Sequence, residues 1–494
     1  MKQLLSKYSQ IAYYTGILTQ IVGIITLLPL LAIILYPEDS QFAIYFLVTS
    51  VIALMLSVFL KKLGKAHSTD ALVAGEDFLI VVIVWLLAMF FSSLPFLLSG
   101  QLSFTLAMFE AVSGWTTTGL SVVNVEVIPK IFLLHRSVIQ FFGGVGLILV
   151  VFSVLSDTYG MRLFSAEGHS DRLLPNLKKS ARIIMTIYSF YMITGVGLYV
   201  FFGMPFFDAL NISMAALSTG GFAVTSNSIA YYKSIPIEIL TMILMVLGNT
   251  NFAAHLLLFQ RKFKRYSQCD ETRMMFVSIF VFTLIIFIIT RQLADLTFRQ
   301  ILFEVVSAVT TTGFALSDYS VFRPFLVMTL IPLMWMGGGS GSTAGGIKQY
   351  RVVAFIRSCK LSIQKAILPK QVVKDVYVSM PTQKLYLNPM ETLRIHHFIS
   401  YYFIIYFIGV AILVVNQIDV MDAAFEMASA LSTVGTSVGI TTATTSSIVL
   451  WTEMAAMFFG RLEIMIVIIF FVYSWSDLNM FIKGCIRFKK SIGN

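Results

Sequence analysis

Thr116-Thr117-Thr118-Gly119, Ser218-Thr219-Gly220-Gly221, Thr310-Thr311-Thr312-Gly313 and Ser432-Thr433-Val434-Gly435 are four versions of one pattern, a hydroxyl-rich run closed by glycine. Their surroundings repeat too. Glu110, Glu304 and Glu426 each stand nine residues before the closing glycine, and the second unit carries Ile212 there. Asp208 and Asp422 stand thirteen residues before Gly221 and Gly435, placed to cap a short helix through a side-chain oxygen. A further glycine follows each tetrad by 24 to 27 residues: Gly143, Gly248, Gly337 and Gly460. A fourfold internal repeat therefore organises the chain.

The 494 residues are 57% hydrophobic and 12% charged, with a mean hydropathy of +0.84, which describes a chain whose main solvent is lipid. The net charge of +10 then reads as the cytoplasmic bias of lysine and arginine in membrane proteins, and nucleic acid is not expected as a partner. Cys269, Cys359 and Cys485 lack metal-ligand spacing, so neither a disulfide framework nor a metal centre is expected.

Ile11 to Tyr36 runs 26 residues without a charge, enough to cross about 30 Å of hydrocarbon as a helix and too long for a signal-peptide core. A second span covers about 41–60. Each repeat then reads as span, short re-entrant helix, tetrad, span. First spans fall near 77–98, 181–202, 274–290 and 396–415, and second spans near 130–156, 235–259, 324–356 and 447–473. The apolar stretches at 104–113, 207–217, 298–307 and 421–429 are long enough to enter a bilayer but not to cross it. With the N-terminus inside, all but seven of the 35 Lys and Arg residues fall on the cytoplasmic side; the seven are Lys130, Arg136, Lys233, Arg291, Arg299, Arg323 and Arg461. The expected fold is an all-α polytopic membrane protein with ten transmembrane helices and both termini cytoplasmic. A two-helix N-terminal unit (1–70) precedes four pseudo-fourfold helix–pore loop–helix repeats (71–160, 161–260, 261–360 and 361–494), and the tetrads face outside.

Four re-entrant hairpins around one axis can close a ring. Such a ring is a filter, because backbone carbonyls and Ser/Thr hydroxyls can replace the water oxygens of a dehydrated monovalent cation. Glycine permits the positive φ this requires, and the C-terminal ends of the re-entrant helices favour a cation through their dipoles. Glu110, Glu304 and Glu426 are expected to add negative potential if ionised. The competing reading, ordinary loops with glutamates as structural anchors, is weaker for four tetrads in register than for one.

Together with Gly337-Gly338-Gly339-Ser340-Gly341-Ser342-Thr343-Ala344-Gly345-Gly346-Ile347-Lys348, Gly460-Arg461-Leu462-Glu463, and Ala166-Glu167-Gly168 with Asp171, the tetrads resemble the Trk/Ktr/HKT potassium-transport family over essentially the whole chain. The two extra N-terminal helices make it similar to the TrkH branch. The resemblance implies a potassium filter with one key glycine per repeat, Gly119, Gly221, Gly313 and Gly435, and no cofactor in this chain. It implies an intramembrane gate built from Gly337 to Gly346 with Lys348, and Arg461 facing the pore beneath the filter. It further implies a homodimer, a cytoplasmic nucleotide-binding regulatory subunit of the TrkA type, and a bacterial plasma (inner) membrane location. Some plant relatives that carry serine at the first glycine prefer sodium, so four glycines imply potassium. Ser432-Thr433-Val434-Gly435 departs from the Thr-rich first and third tetrads.

Six glycines within Gly337 to Gly346 cost a helix roughly 1 kcal/mol each relative to alanine, so the second helix of the third repeat, and of that repeat only, is expected to break. The run is not a phosphate-binding loop, since Gly346-Ile347-Lys348-Gln349 lacks the Gly-Lys-Ser/Thr order and follows a lipid-length helix. Reading Ser340 as a protease nucleophile would require a histidine partner, for which His255 is the intramembrane candidate; an enzyme is not expected. A sodium- or proton-coupled symporter is the stronger alternative, because broken helices also build transporter sites, and a sodium-permeable member of the same family is another. For Arg461 the alternative to a pore role is an ion pair with Glu453 or Glu463.

Overall fold

The computed structural model describes residues 2–64, 76–146, 177–290, 296–317, 319, 324–367 and 376–492. Ala166, Glu167, Gly168 and Asp171 lie outside them. Helices α1 (Lys2–Ile25) and α2 (Ala43–Leu63) form an N-terminal pair. Small residues let them approach closely: Ser57 donates to the Gly16 carbonyl at 2.7 Å and Ser50 to that of Gly23 at 2.8 Å. Between them the chain makes two 3₁₀ turns, Leu28–Ile34 and Pro37–Phe42. Asp39 in the second accepts the Ile131 backbone N–H at 2.8 Å and so ties the pair to the first repeat.

Each repeat begins with a long outer helix: α3 (Glu76–Leu98), α6 (Leu177–Phe201), α11 (Asp270–Thr290) and α15 (Pro389–Val415). A twelve-residue pore helix follows: α4 (Phe104–Trp115), α7 (Phe206–Leu217), α12 (Phe298–Val309) and α16 (Val420–Leu431). The pore helices occupy the protein core; Phe109, Phe303 and Phe425, at one repeat position, are completely buried. The inner helices come after the tetrads: α5 (Lys130–Val145), α8 (Ile235–Asn249) with α9 (Phe252–Phe259), α13 (Pro324–Met336) with α14 (Gln349–Ile367), and α17 (Ser447–Arg461) with α18 (Ile464–Ile492). A short helix α10 (Phe263–Ser267) precedes α11, and a hairpin of β1 (Tyr377–Ser379) and β2 (Lys384–Tyr386) precedes α15, a small addition to the helical fold that the sequence expectation lacked.

Among the described residues six helical segments are long and apolar enough to cross a membrane, or up to eight if each bent pair is one span. Of the ten expected spans, the other two are α5, which stops at Val145 next to undescribed residues, and the α13–α14 pair interrupted by the glycine loop.

The break in the third repeat lies where the glycines are, but it is not the only one. The α8–α9 pair bends by 111° and the α17–α18 pair by 103°. In the second repeat Asn251 starts a new helix by accepting the Ala253 N–H at 2.7 Å. In the fourth, Glu463 adopts a left-handed φ of 60°. The helix starts also differ from expectation. Asp419, not Asp422, caps α16 by accepting the Met421 N–H at 2.9 Å, and Asp208, already inside a helix begun after Pro205, accepts the Tyr232 hydroxyl at 2.9 Å.

The repeated glycines of the inner helices have a steric reason. A Cβ on Gly143, Gly248 or Gly460 would stand 2.2, 2.3 or 2.0 Å from the carbonyl oxygen of Trp115, Leu217 or Leu431, the last residue of its own pore helix. Gly337 departs from the set, since a Cβ there meets the Gly345 carbonyl of its own loop at 2.2 Å. Forcing the contact open should cost about 1–3 kcal/mol, the usual penalty of overpacking. Gly460→Ala is therefore expected to lower the thermal unfolding midpoint in detergent by several degrees, whereas Gly197→Ala, where nothing lies within 4 Å, should not lower it. Equal midpoints for the two variants would show that inner and pore helices are not in close register.

Candidate functional site

Each tetrad is the C-terminal cap of its pore helix. The second residue, Thr117, Thr219, Thr311 or Thr433, is left-handed with φ between 51° and 56°. The third residue's N–H returns to the helix: Thr118 to Ser113, Gly220 to Ala215, Thr312 to Ser307 and Val434 to Ser429, all at 2.8–3.0 Å. This is the Schellman arrangement, in which glycine is the usual left-handed residue. A β-branched residue there stores strain on the order of 1–3 kcal/mol. All four repeats carry it, and in three of them, Thr117, Thr219 and Thr311, the hydroxyl meets the glycine loop or Arg461.

The closing glycines bring the tetrads together. A Cβ on Gly119 would lie 2.1 Å from the Gly220 carbonyl oxygen, on Gly221 2.0 Å from that of Thr312, on Gly313 2.0 Å from that of Val434, and on Gly435 1.8 Å from that of Thr118. First touches second, second third, third fourth, and fourth first. The contacts close a ring, and each glycine, itself at φ 71° to 95°, lies against the residue before its neighbour's glycine. No side chain fits there.

Behind the ring the glutamates act as clasps. Glu110 accepts the Val122 N–H at 3.2 Å, Glu304 that of Leu316 at 2.9 Å and Glu426 that of Val438 at 3.0 Å, in each case twelve residues on. All three are buried and hold the segment leaving the tetrad, so each has an anchoring role. The second repeat, with Ile212, is served by Gln140 of α5, which donates to the Gly220 carbonyl at 2.6 Å and accepts the Phe222 N–H at 3.3 Å. Sequence reasoning missed Gln140, which lies 80 residues from its partner and has no counterpart in the repeat pattern.

The loop Gly337–Lys348 meets the ring through the strained threonines. Thr343 Oγ1 is 3.1 Å from Thr219 Oγ1 and donates to the Gly248 carbonyl at 2.9 Å; the Gly345 N–H donates to Thr311 Oγ1 at 3.1 Å. A Cβ on Gly345 would lie 2.2 Å from Thr433 Oγ1. Arg461 completes the set. Its guanidinium donates to the carbonyls of Gly143, Gly144 and Thr343, and reaches Thr117 Oγ1 at 3.4 Å. Glu463 pairs instead with Arg351 at 2.7 Å, and Glu453 takes the Thr441 hydroxyl.

The loop is held by its own bonds and by the broken helix of the second repeat. Ser342 donates to the Gly339 carbonyl at 2.7 Å, and Lys348, at φ 77°, donates from Nζ to Ala344. The Gly338 N–H donates to the Gly345 carbonyl at 3.2 Å, while Gly337, Gly341 and Gly346 take φ values of 61° to 75°. Gly339 N–H donates to the Asn249 carbonyl at 3.1 Å, Gly341 accepts the Phe252 N–H at 3.1 Å, and Ser340 N–H donates to Glu271 at 2.7 Å. His255, with Nε2 3.0 Å from the Leu247 carbonyl and Nδ1 3.3 Å from the Tyr191 hydroxyl, is engaged away from Ser340.

The family model for TrkH, a cation transport protein, matches residues 45–289 and 294–480. The chain belongs to the TrkH family. It is 30% identical to an uncharacterised cation transporter of Methanocaldococcus jannaschii, over 93% of this chain and 94% of that one. The Trk system potassium uptake protein TrkH of Halomonas elongata is 29% identical, over 90% and 95% of the two chains, and that of Escherichia coli 28%, over 92% and 98%. The crystal structure of the potassium transporter TrkH from Vibrio parahaemolyticus superposes with a TM-score of 0.82 at 25% identity, covering 95% of this chain and 98% of that one. The TrkH membership makes this chain a multi-pass membrane transporter, and the four tetrads are the points at which its repeats meet.

Seven residues before Gly143 stands Arg136, and seven before Gly460 stands Glu453, so one repeat position carries opposite charges. Arg136 pairs with Glu110 at 2.5 Å, fully buried, and also donates to the Ala223 carbonyl at 3.2 Å and to Ser121 at 2.9 Å. In the fourth repeat Glu453 and Glu426 both reach for Thr441 Oγ1, at 3.1 and 3.4 Å, which sets two carboxyl groups against each other. Arg136→Met should cost about 3–5 kcal/mol by leaving a buried carboxylate unpaired, and Glu453→Gln should be neutral or stabilising. Thermal unfolding of the purified variants separates the two, and equal losses would contradict the asymmetry.

Proposed function

We propose that this chain takes up potassium across the plasma membrane through a channel-like pore on the ring axis, with Thr116–Gly119, Ser218–Gly221, Thr310–Gly313 and Ser432–Gly435 as its filter. The observation that carries the reading is the closed cycle of glycine-to-carbonyl contacts, which positions backbone from all four repeats about one axis. Backbone carbonyls there can replace the hydration shell of potassium, and the negative ends of the four pore helices, each of which terminates at its tetrad, favour a cation there. The relatives named potassium uptake proteins support the choice of ion. Ten spans with both termini cytoplasmic, and the repeat boundaries expected from sequence, complete the architecture. The loop from Gly337 to Lys348 is the gate, bonded to the underside of the filter, and Arg461 adds a positive charge there that opposes dwell of permeating ions. Control by a cytoplasmic nucleotide-binding subunit of the TrkA type and assembly as a homodimer follow from the family resemblance.

Reconstitution of the pure chain in liposomes, with flux measured under imposed potassium, sodium and proton gradients, tests this function. Potassium flux down its own gradient alone is expected; uptake that requires a second ion gradient would favour a symporter.

Gly119→Ser or Gly313→Ser is expected to lower the potassium over sodium permeability ratio severalfold. The new Cβ meets a neighbouring carbonyl oxygen about 2 Å away, and the shift displaces the ring backbone. Unchanged ratios in both variants would remove these tetrads from the filter.

Arg461→Gln and Thr343→Ala each remove bonds between loop and ring, and each should raise potassium flux severalfold at unchanged selectivity. Unaltered flux together with a lower unfolding midpoint would leave both residues with a structural role only.

A further inference from the structure

Between the connection from α9 to α11 and the β1–β2 hairpin lies a cavity of about 720 Å³. Arg261, Lys262, Lys264, Arg265 and Lys384 line it, and among the described residues no acidic side chain does. The neighbouring acids are engaged elsewhere: Asp270 with Arg357 at 2.7 Å and the Ser379 N–H at 2.7 Å, and Glu271 with the Ser340 N–H. Two of the cations have partners within the site. Arg265 donates to the Thr382 carbonyl at 3.3 Å, joining the connection to the hairpin, and the Lys384 ammonium rests 4.3 Å over the Tyr377 ring.

The general bias of lysine and arginine toward the cytoplasm explains a basic loop, but not the addition of Lys384, from a hairpin more than a hundred residues away, to the four cations of 261–265 around one open cleft. Cations gathered in this way repel one another, and a multivalent anion relieves the repulsion; Arg and Lys pair with phosphate oxygens through short, charge-assisted hydrogen bonds. Phe263, 61% exposed, stands in the middle of the basic run, so an apolar ring and the cations share one surface, as at the headgroup level of a bilayer. We propose that this cavity binds a phosphate-bearing anion, either the headgroup of an acidic phospholipid or a free phosphate compound.

The cavity also connects to the glycine loop, a consequence that rests on the gating role proposed above. The hairpin bonds to Asp270 through Ser379, and the next residue, Glu271, holds the loop at Ser340. On the other side α9 begins at the break whose Asn249 carbonyl accepts the Gly339 N–H. An occupied cavity would restrain both supports of the loop.

Native mass spectrometry of the purified full chain, titrated with phosphatidylglycerol, phosphatidylcholine or inorganic pyrophosphate, tests the site. Phosphatidylglycerol or pyrophosphate should bind at least severalfold more tightly than phosphatidylcholine. The exposed triple variant Arg261→Gln, Lys264→Gln, Arg265→Gln should lose that preference, while the control Lys62→Gln, Lys360→Gln, Arg394→Gln keeps it. Phosphatidylglycerol without pyrophosphate names the lipid as the source, and the converse names the free compound. If neither exceeds phosphatidylcholine, or if the triple variant binds as the native chain does, the site does not exist. Liposome flux should respond to the bound anion in the native chain and not in the triple variant; an equal response in both would break the link to the loop and leave the binding result standing.

Discussion

Four glycines pressed against four carbonyl oxygens hold this molecule's centre together. Because each contact joins one repeat to the next and the last joins back to the first, no repeat can move its tetrad without displacing a neighbour. The steric rule is simple: at about 2 Å from an oxygen there is room for a hydrogen and for nothing larger. The same rule acts one layer out, where Gly143, Gly248 and Gly460 let the inner helices lie against the last carbonyl of each pore helix. Backbone is thus packed on backbone, with no side chain between the glycines and the carbonyls they meet.

The strained threonines link this rigid ring to the loop beneath it. A left-handed threonine costs energy at a cap where glycine would be free of strain, and at Thr117, Thr219 and Thr311 the return is a hydroxyl that meets the loop or Arg461. Hydrogen bonds from Thr343 and Gly345 are individually worth about 0.5–1.5 kcal/mol, so a handful can hold the loop against the ring while leaving it within reach of a modest external force. The loop's other bonds run to Asn249, Phe252 and Glu271, on elements that lead to the basic hairpin region, so displacement there has a physical route to the ring.

Much of this was legible in the sequence because it is local. The pore helices, the tetrads and the glycine-induced break follow from hydrophobic length, helix propensity and repetition within a few dozen residues. What escaped depends on neighbours distant in the chain. Gln140 substitutes for a missing glutamate only because the first repeat's inner helix lies beside the second tetrad. The breaks at Asn249–Asn251 and Leu462–Glu463 carry weaker signals than a run of glycines, although an asparagine that can cap a helix was present to be read. The anchoring role of the glutamates, weighed as the alternative in the sequence, is carried by a constant spacing of twelve residues to a backbone N–H, a partner that the tetrad pattern alone does not reveal.

The proposed filter requires the ion to lose its water within the ring of four tetrads. Anomalous diffraction from crystals of the native chain grown in thallium(I), a heavy stand-in for potassium, tests it most directly. Discrete anomalous peaks should lie on the ring axis at the level of Gly119, Gly221, Gly313 and Gly435, and should diminish when sodium replaces thallium in the soak. Thallium bound elsewhere in the protein, with no peak within the ring, would contradict it.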